Sequence, residues 1–336
     1  MHEVKLTDSF HFGVLPAEGM AFENAVDMLR TSSIGNNHIC AKWFHWKHFL
    51  NPNGPSIIVY AQDKRSQRLA AIRALWSWKL MIGGELIIAY QPCESLTDPD
   101  YQRMGLLTCL TRMAVGLAAE KGAQLLFNFP NFQSKPVYLK MGWRHLGGLV
   151  TLWRPAGLFE IAYSIIRSGM GESQRAFSDK NAATTTKETD LDSSRAFGRY
   201  QQMGGIYHGW RSRKLLDWRI NNPNGKNRLV QVGNSAAIVN QRQRGRLKEA
   251  CIIELLWDGH HSDEVKLLMH VIKKKLKPTI LTTILTPSHP DMAVYKSLGF
   301  RSRSNHTNFV AAGVDGCMPI PAAECWALSG FDIDTF

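Results

Sequence analysis

The chain has 336 residues, of which 44% are hydrophobic and 20% charged, and a net charge of +12. This composition is globular and long enough for two domains, and no apolar run approaches the ~20 residues of a membrane-crossing helix. The opening MHEVKLTDSFHFGV has no basic segment followed by an apolar one, so no secretory signal is expected and the cytoplasm is the predicted location.

In chain order, 22–30 and 42–50 are expected to be helical and 56–61 a short strand. Strands at 69–81 and 85–96 are joined at Gly83-Gly84, a strong hairpin signal. After the turn Asp98-Pro99-Asp100, apolar residues at Leu106, Leu110, Met113, Ala114 and Leu117 predict a helix over 106–121 with one buried face. Gly122 ends it. A strand at 125–129, a short helix at 133–141 and a strand at 149–153 follow. The order predicts a mixed α/β sheet. Gly157 to Ile166 reads as a helix packed between domains, with a membrane-surface helix as the alternative.

The stretch 168–202 is rich in Ser, Thr, Asp and Lys and poor in branched aliphatics, so it cannot bury enough surface to fold alone. The predicted organisation is therefore a domain over 1–167, a linker over 168–204 and a second domain with a C-terminal tail over 205–336. The flanks resemble each other. Trp46-Lys47-His48 followed by Asn51-Pro52-Asn53-Gly54 returns as Trp218-Arg219-Ile220 followed by Asn222-Pro223-Asn224-Gly225. Tyr138-Leu139-Lys140-Met141-Gly142-Trp143 returns as Tyr295-Lys296-Ser297-Leu298-Gly299-Phe300. Two matches in the same order imply a duplication, hence tandem domains of one fold.

The basic balance favours anionic partners such as nucleic acid, acidic lipid or a phosphorylated cofactor. The run Lys273-Lys274-Lys275 reads as the solvated end of a helix rather than a nucleic-acid patch. The six cysteines, Cys40, Cys93, Cys109, Cys251, Cys317 and Cys325, form no CxxC pair, and no short Cys/His cluster has zinc spacing. They are expected to be reduced and mostly buried, and no metal is expected. His260-His261 is read as a polar turn rather than a ligand pair.

The segment Gln102-Arg103-Met104-Gly105-Leu106-Leu107-Thr108 lies between a strand and an amphipathic helix. A helix N-terminus offers unpaired N–H groups and partial positive charge, and Gly105 permits close backbone approach, so the turn is suited to pyrophosphate. Gln102-x-x-Gly105-x-Leu107 resembles the Q/R-x-x-G-x-G/A loop of the GNAT (GCN5-related N-acetyltransferase) superfamily, with Leu in place of the last small residue. Asn131-x-x-Ser134-x-x-x-Tyr138-x-x-x-Gly142-Trp143 is similar to that superfamily's N-x-x-A-x-x-x-Y-x-x-x-G-F/W signature, with Ser for Ala. The resemblance covers about 40–155 and, more faintly, 210–310. The wider layout is similar to tandem GNAT proteins linked to surface-polysaccharide biosynthesis.

The resemblance implies two tandem GNAT-like domains, each a mixed, mostly antiparallel sheet flanked by helices. It implies an acyl-CoA donor, acetyl-CoA being the commonest, with its pyrophosphate on Gln102, Arg103, Met104, Gly105, Leu106, Leu107 and Thr108. Asn131 and the backbone of Leu96 and Thr97 would hold the pantetheine arm. Glu94, on the strand entering the loop, corresponds to the family's general base, with Cys93 and Ser95 on the other face if the strand is regular. Tyr138 corresponds to the acid that protonates the leaving thiolate. The expected acceptor is an amino sugar or another small amine, with O-acylation also open; no DNA partner is expected.

Two other functions stay open. One is a FemABX-like transferase using aminoacyl-tRNA, which the positive charge would suit; the other is a non-catalytic GNAT-fold binding protein, which Leu107 would suit. The second half lacks the cofactor loop. It has Asp258 at its strand-to-helix turn, Ser288 where Asn131 would be, and Pro290 interrupting the segment. One cofactor site, in the first half, is therefore expected.

Overall fold

The computed structural model describes residues 2–32, 39–157, 204–245, 247–314 and 318–334, with the side chains of 2–5 and 304–306 outside the description. Almost all of the predicted linker, the segment from 158 to 166 and Cys317 lie outside the described residues.

The first half runs α1 (His2–Ser9), β1 (Phe10–Val14), α2 (Met20–Thr31), α3 (Ala41–His48), β2 (Ile57–Asp63), β3 (Leu69–Ile82), β4 (Glu85–Thr97), α4 (Leu106–Glu120), β5 (Leu125–Asn128), α5 (Lys135–Lys140) and β6 (Arg144–Pro155). The second runs β7 (Tyr207–Gly209), α6 (Arg213–Ile220), β8 (Asn227–Val232), β9 (Ser235–Arg244), β10 (Leu247–Leu256), α7 (Ser262–Leu276), β11 (Ile280–Leu285), α8 (Met292–Ser297), β12 (Arg301–Gly313) and β13 (Trp326–Ala327). The hairpin turn between β3 and β4 has positive φ at both Gly83 (56°) and Gly84 (86°), the pairing that a two-residue turn matching strand twist requires. No described helix is long and apolar enough to cross a membrane.

The mixed α/β prediction holds, but the two halves do not keep separate sheets. The strands form one sheet in the order β1-β2-β3-β4-β5-β12-β6-β11-β10-β9-β8, with β7 joining β3 and β13 off this path. The halves exchange β6 and β12. β12 pairs antiparallel with β5 (Val310 opposite Asn128), and β6 pairs antiparallel with β11 (Pro155 opposite Ile280). β6 and β12 then pair with each other at the centre. Each half's sheet is thus completed by the other's chain.

The repeated segments take matching local geometries. In both Asn-Pro-Asn-Gly turns the first Asn side chain accepts from the second Asn N–H, Asn53 to Asn51 and Asn224 to Asn222, each at 2.9 Å. Trp46 and Trp218 stack with centroids 4.4 Å apart, and each indole N–H donates to the other's carbonyl. Tyr138 meets Trp143 edge-on at 4.8 Å, as Tyr295 meets Phe300 at 5.1 Å. The reciprocal Trp46–Trp218 contacts bury aromatic area between the halves and fix them against each other.

Candidate active site

In the first half, β4 and β5 are parallel and pair only at Ala89–Leu125 and Tyr90–Leu126. Beyond Tyr90, β4 continues to Thr97 with no β5 partner. Its other edge stays on β3, but with a bulge: Arg73 faces two residues, Glu94 and Ser95. Glu94 sits at φ 37°, a left-handed conformation that few non-glycine residues adopt. The bulge overturns the expectation of a regular strand. Cys93 and Glu94 lie together on the α3 face, within 4.8 Å of His48, and it is Ser95 that turns to Arg73 on the opposite face.

Around Glu94 the structure gathers charges from distant segments. Lys47 Nζ donates to Glu94 Oε1 at 2.5 Å and lies 3.8 Å from Asp334. It also sits over the rings of Trp43 (5.1 Å) and Trp76 (5.4 Å). His48 Nε2 is 3.3 Å from Glu94 Oε2, and its Nδ1 is 2.9 Å from Ser56 Oγ. Burial would raise the Glu94 pKa, but the Lys47 ammonium and His48 outweigh it and hold the carboxyl well below its usual range. Burial would lower Lys47, yet Glu94 and Asp334 keep it above its ordinary value. Burial pushes His48 down, so it is neutral at neutral pH. His48, Cys93 and Glu94 have the donor types of a metal site. However, burial drives the Cys93 thiol well up and Lys47 already compensates the carboxylate, so a cation here would face an ammonium.

On the other face stands Tyr138, 6% exposed, packed with α4. Its hydroxyl accepts from Arg73 Nη2 at 3.4 Å. The acid and base candidates therefore occupy opposite faces of the sheet, and the unpaired edge of β4 runs between them.

The 102–108 turn has the geometry expected of it. Arg103 (φ 63°) and Gly105 (φ 82°) are both left-handed, and α4 starts at Leu106. No protein atom lies within 4 Å of a Cβ built on Gly105, so the backbone sign, not crowding, requires glycine there. The N–H groups of Leu106, Leu107 and Thr108 belong to the first helical turn, which has no intrahelical acceptors. Gln102, Arg103, Met104 and Thr108 are exposed, Leu107 is half-buried and Leu106 anchors the turn in the core. Leu96 and Thr97 are half-buried at the free end of β4. Asn131 is otherwise employed than by a ligand: its Oδ1 accepts from Gln133 N, Ser134 N and Ser134 Oγ and so starts the α5 turn. Only its amide N–H groups face outward from that role.

The second half closes the corresponding places. Asp258 accepts from the N–H groups of His260 and His261 and pairs with the His261 ring. These partners outweigh burial and lower its pKa to about 2. A side chain thus occupies the N–H groups before α7. β10 and β11 pair from Glu249–Ile280 to Ile252–Thr283, and past that point the C-terminal strap enters. Thr286 N donates to Leu328 O, Ser329 Oγ donates to Glu254, and Gly330 passes so close that a Cβ would lie 3.1 Å from Ile253 Cα. Arg211 clamps the strap through Glu254 and Asp332. From there the strap reaches the first half, where Gln91 holds both Asp332 O and Asp334 N. Tyr295 is 1% exposed, and burial with Asp291 pushes its phenol well up.

Sequence reasoning named Glu94, Tyr138 and the turn but missed Lys47, His48, Arg73 and Asp334. Lys47 and His48 were within reach, since they lie in the repeated Trp-Lys-His segment. Arg73 was signalled by a lone charge in the apolar run LAAIRALWSW. Asp334 depends on the path of the strap, which no local pattern shows.

Residues 19–146 match the family model described as an acetyltransferase (GNAT) domain. No curated protein matches the sequence. Among solved structures, a GCN5-related N-acetyltransferase from Anabaena variabilis aligns at TM-score 0.60 and 13% identity, over 91% of this chain and 73% of that one. A GCN5-related N-acetyltransferase from Kribbella flavida aligns at 0.58 and 11%, over 92% and 72%. Saccharomyces cerevisiae N-myristoyltransferase with bound myristoyl-CoA aligns at 0.57 and 10%, over 90% and 82%. At these identities the likeness is one of fold. Residues 19–146 thus carry the mark of a GNAT acetyltransferase domain, and the chain is similar in fold to solved GNAT acyltransferases.

Proposed function

We propose that the chain is an acyl-CoA-dependent N-acyltransferase with one cofactor site, in its first half. The observation that carries this reading is the left-handed Gly105 turn opening onto α4, set beside a β4 edge that has lost its strand partner. The turn presents N–H groups to a pyrophosphate, and the free edge from Glu94 to Thr97 offers backbone groups to a pantetheine arm. The arm would then run along the edge and bring its thioester between Tyr138 and Glu94.

The acceptor amine attacks the thioester carbonyl carbon, and the carbon–sulfur bond breaks as the amide forms. Tyr138 gives its hydroxyl proton to the departing sulfur. Glu94, already committed to Lys47 and His48, is too weak a base to keep the amine's proton. It orients and polarises the water that carries the proton to solvent. Acetyl-CoA is the proposed donor and a small amine, such as an amino sugar, the proposed acceptor. Thiol release from acetyl-CoA, measured with a panel of small amines and amino sugars, tests this. Amine-dependent release is expected. Acetyl-CoA binding without turnover on any amine would favour a binding protein, and salt-sensitive tRNA binding without acetyl-CoA binding would favour an aminoacyl transferase.

A further inference from the structure

We propose that Arg73 is a positioning residue for acyl transfer: it holds the Tyr138 hydroxyl and offsets the negative charge that builds as the thioester sulfur leaves. The proposal rests on the assignment of Tyr138 as proton donor above.

β3 is buried along most of its length, and Arg73 is 4% exposed within it. A buried charge is costly unless it is paired. The other buried cations near the two clefts are answered. Lys47 has Glu94, Arg211 has Glu254 and Asp332, and Arg219 donates to the Phe331 and Ile333 carbonyls. Arg73 has two neutral hydroxyls. Nη1 donates to Ser95 Oγ, Nη2 donates to the Tyr138 oxygen at 3.4 Å, and Nε has no partner. Among the described residues no carboxylate forms an ion pair with it, and Glu94 lies on the far face, where its Oε1 accepts from Lys47 and its Oε2 is 3.3 Å from His48 Nε2. A guanidinium kept here without a counter-ion matches a site where negative charge arrives during the reaction.

The chemistry supplies such charge at one stage. When the carbon–sulfur bond breaks, sulfur takes the electron pair. The Tyr138 proton passes to it, and the phenolate recovers a proton from solvent. Charge thus lies first on sulfur and then on the Tyr138 oxygen. Because Arg73 donates to that oxygen, the Tyr138 O–H is left to point elsewhere, and the cation favours both anionic stages. The ring and guanidinium also lie 5.8 Å apart, which fixes the ring as well as the hydroxyl.

The test uses the full chain with Arg73→Gln, Arg73→Lys, Tyr138→Phe and the Arg73→Gln/Tyr138→Phe double variant, each checked for parental thermal unfolding. In single-turnover acetyl transfer, Arg73→Gln should slow the step on the order of 100-fold while leaving acetyl-CoA affinity within about threefold. Arg73→Lys should recover part of the rate. In the Tyr138→Phe background, Arg73→Gln should cost little more, because both act on one event. A second readout needs no turnover: calorimetry with CoA and desulfo-CoA from pH 7 to 9.5. The parent should prefer CoA increasingly as its thiol ionises, and Arg73→Gln should lose that trend. Multiplicative rate losses in the double variant, or an unchanged trend in Arg73→Gln, would overturn the proposal. A parent that binds neither ligand would instead remove the cofactor assignment, and the role of Arg73 with it. An unaffected Tyr138→Phe rate would remove the acid on which Arg73 is said to act.

Discussion

The two halves repeat a turn and a tyrosine contact, yet they end in opposite states at the place where their parallel strands part. Beside β4 the edge is left without a partner, and the turn before α4 keeps its N–H groups facing outward through Gly105. Beside β10 the strap pairs with Leu285 and Thr286, and Asp258 takes the N–H groups of its own turn. The lesson is that similar local structures differ as candidate sites by whether the chain leaves backbone groups unsatisfied for a ligand. The second half satisfies its own.

The comparison breaks most readily at the two tyrosines. Tyr138→Phe removes one hydroxyl and should lower chemistry-limited turnover by about 10²–10⁴-fold, the usual scale for a lost general acid. Tyr295→Phe, at a fully buried phenol, should leave turnover unchanged. Pre-steady-state rates on both variants check this, and equal losses would make the halves catalytically equivalent.

Next in size is the buried ion pair. Lys47→Met leaves the Glu94 carboxylate uncompensated, and loss of one partner of a buried pair typically costs about 3–5 kcal/mol. Arg211→Met should be comparably damaging in the second half, where Glu254 and Asp332 would be stranded. Denaturant unfolding measures both; a loss below about 1 kcal/mol for Lys47→Met would show that the pair is not buried as described. The pH dependence has a definite sign. Glu94 is depressed in the folded state, so its contribution is present above the ordinary Glu range of about 4.3 and is lost as pH falls through that range and below it. Glu94→Gln should flatten the acid side of the stability profile.

The smallest effect belongs to Asp258. Its folded pKa of about 2 means that its stabilisation is present above roughly pH 4 and disappears as pH falls towards 2. Asp258→Asn should lower the unfolding temperature slightly at neutral pH and leave it unchanged near pH 2. Asp258→Gly should create no second acyl-CoA site, because the strap still fills the neighbouring gap.

Local periodicity made most of the first half legible. The apolar spacing of 106–117 set α4, Gly83-Gly84 set the hairpin, and Gly105 marked the turn. The repeated Trp, Asn-Pro-Asn-Gly and Tyr segments were legible as pairs, and the members of each pair take matching local geometry. The exchange of β6 and β12 was hidden because pairing between strands far apart in the chain leaves no mark on the local pattern of either, and β12 opens on a polar run, Arg301 to Asn308. The bulge at Glu94 was hidden because a one-residue register shift leaves no mark on composition. The Lys47–Glu94–Asp334 grouping joins positions far apart in the chain, and only the folded path of the strap connects them. Asn131 shows the converse: its place in the motif was plain, while its use as the α5 turn's acceptor needed coordinates.

The central claim is one acyl-CoA site per chain, built on Gly105. Calorimetric titration of the full chain with acetyl-CoA, beside Gly105→Asp, tests it most directly. The variant forces a side chain into a left-handed position and sets a carboxylate against the pyrophosphate, so a loss of affinity on the order of 100-fold, about 2.7 kcal/mol, is expected. One site is expected in the parent and none detectable in the folded variant. Two sites in the parent, or parental affinity in Gly105→Asp, would contradict it.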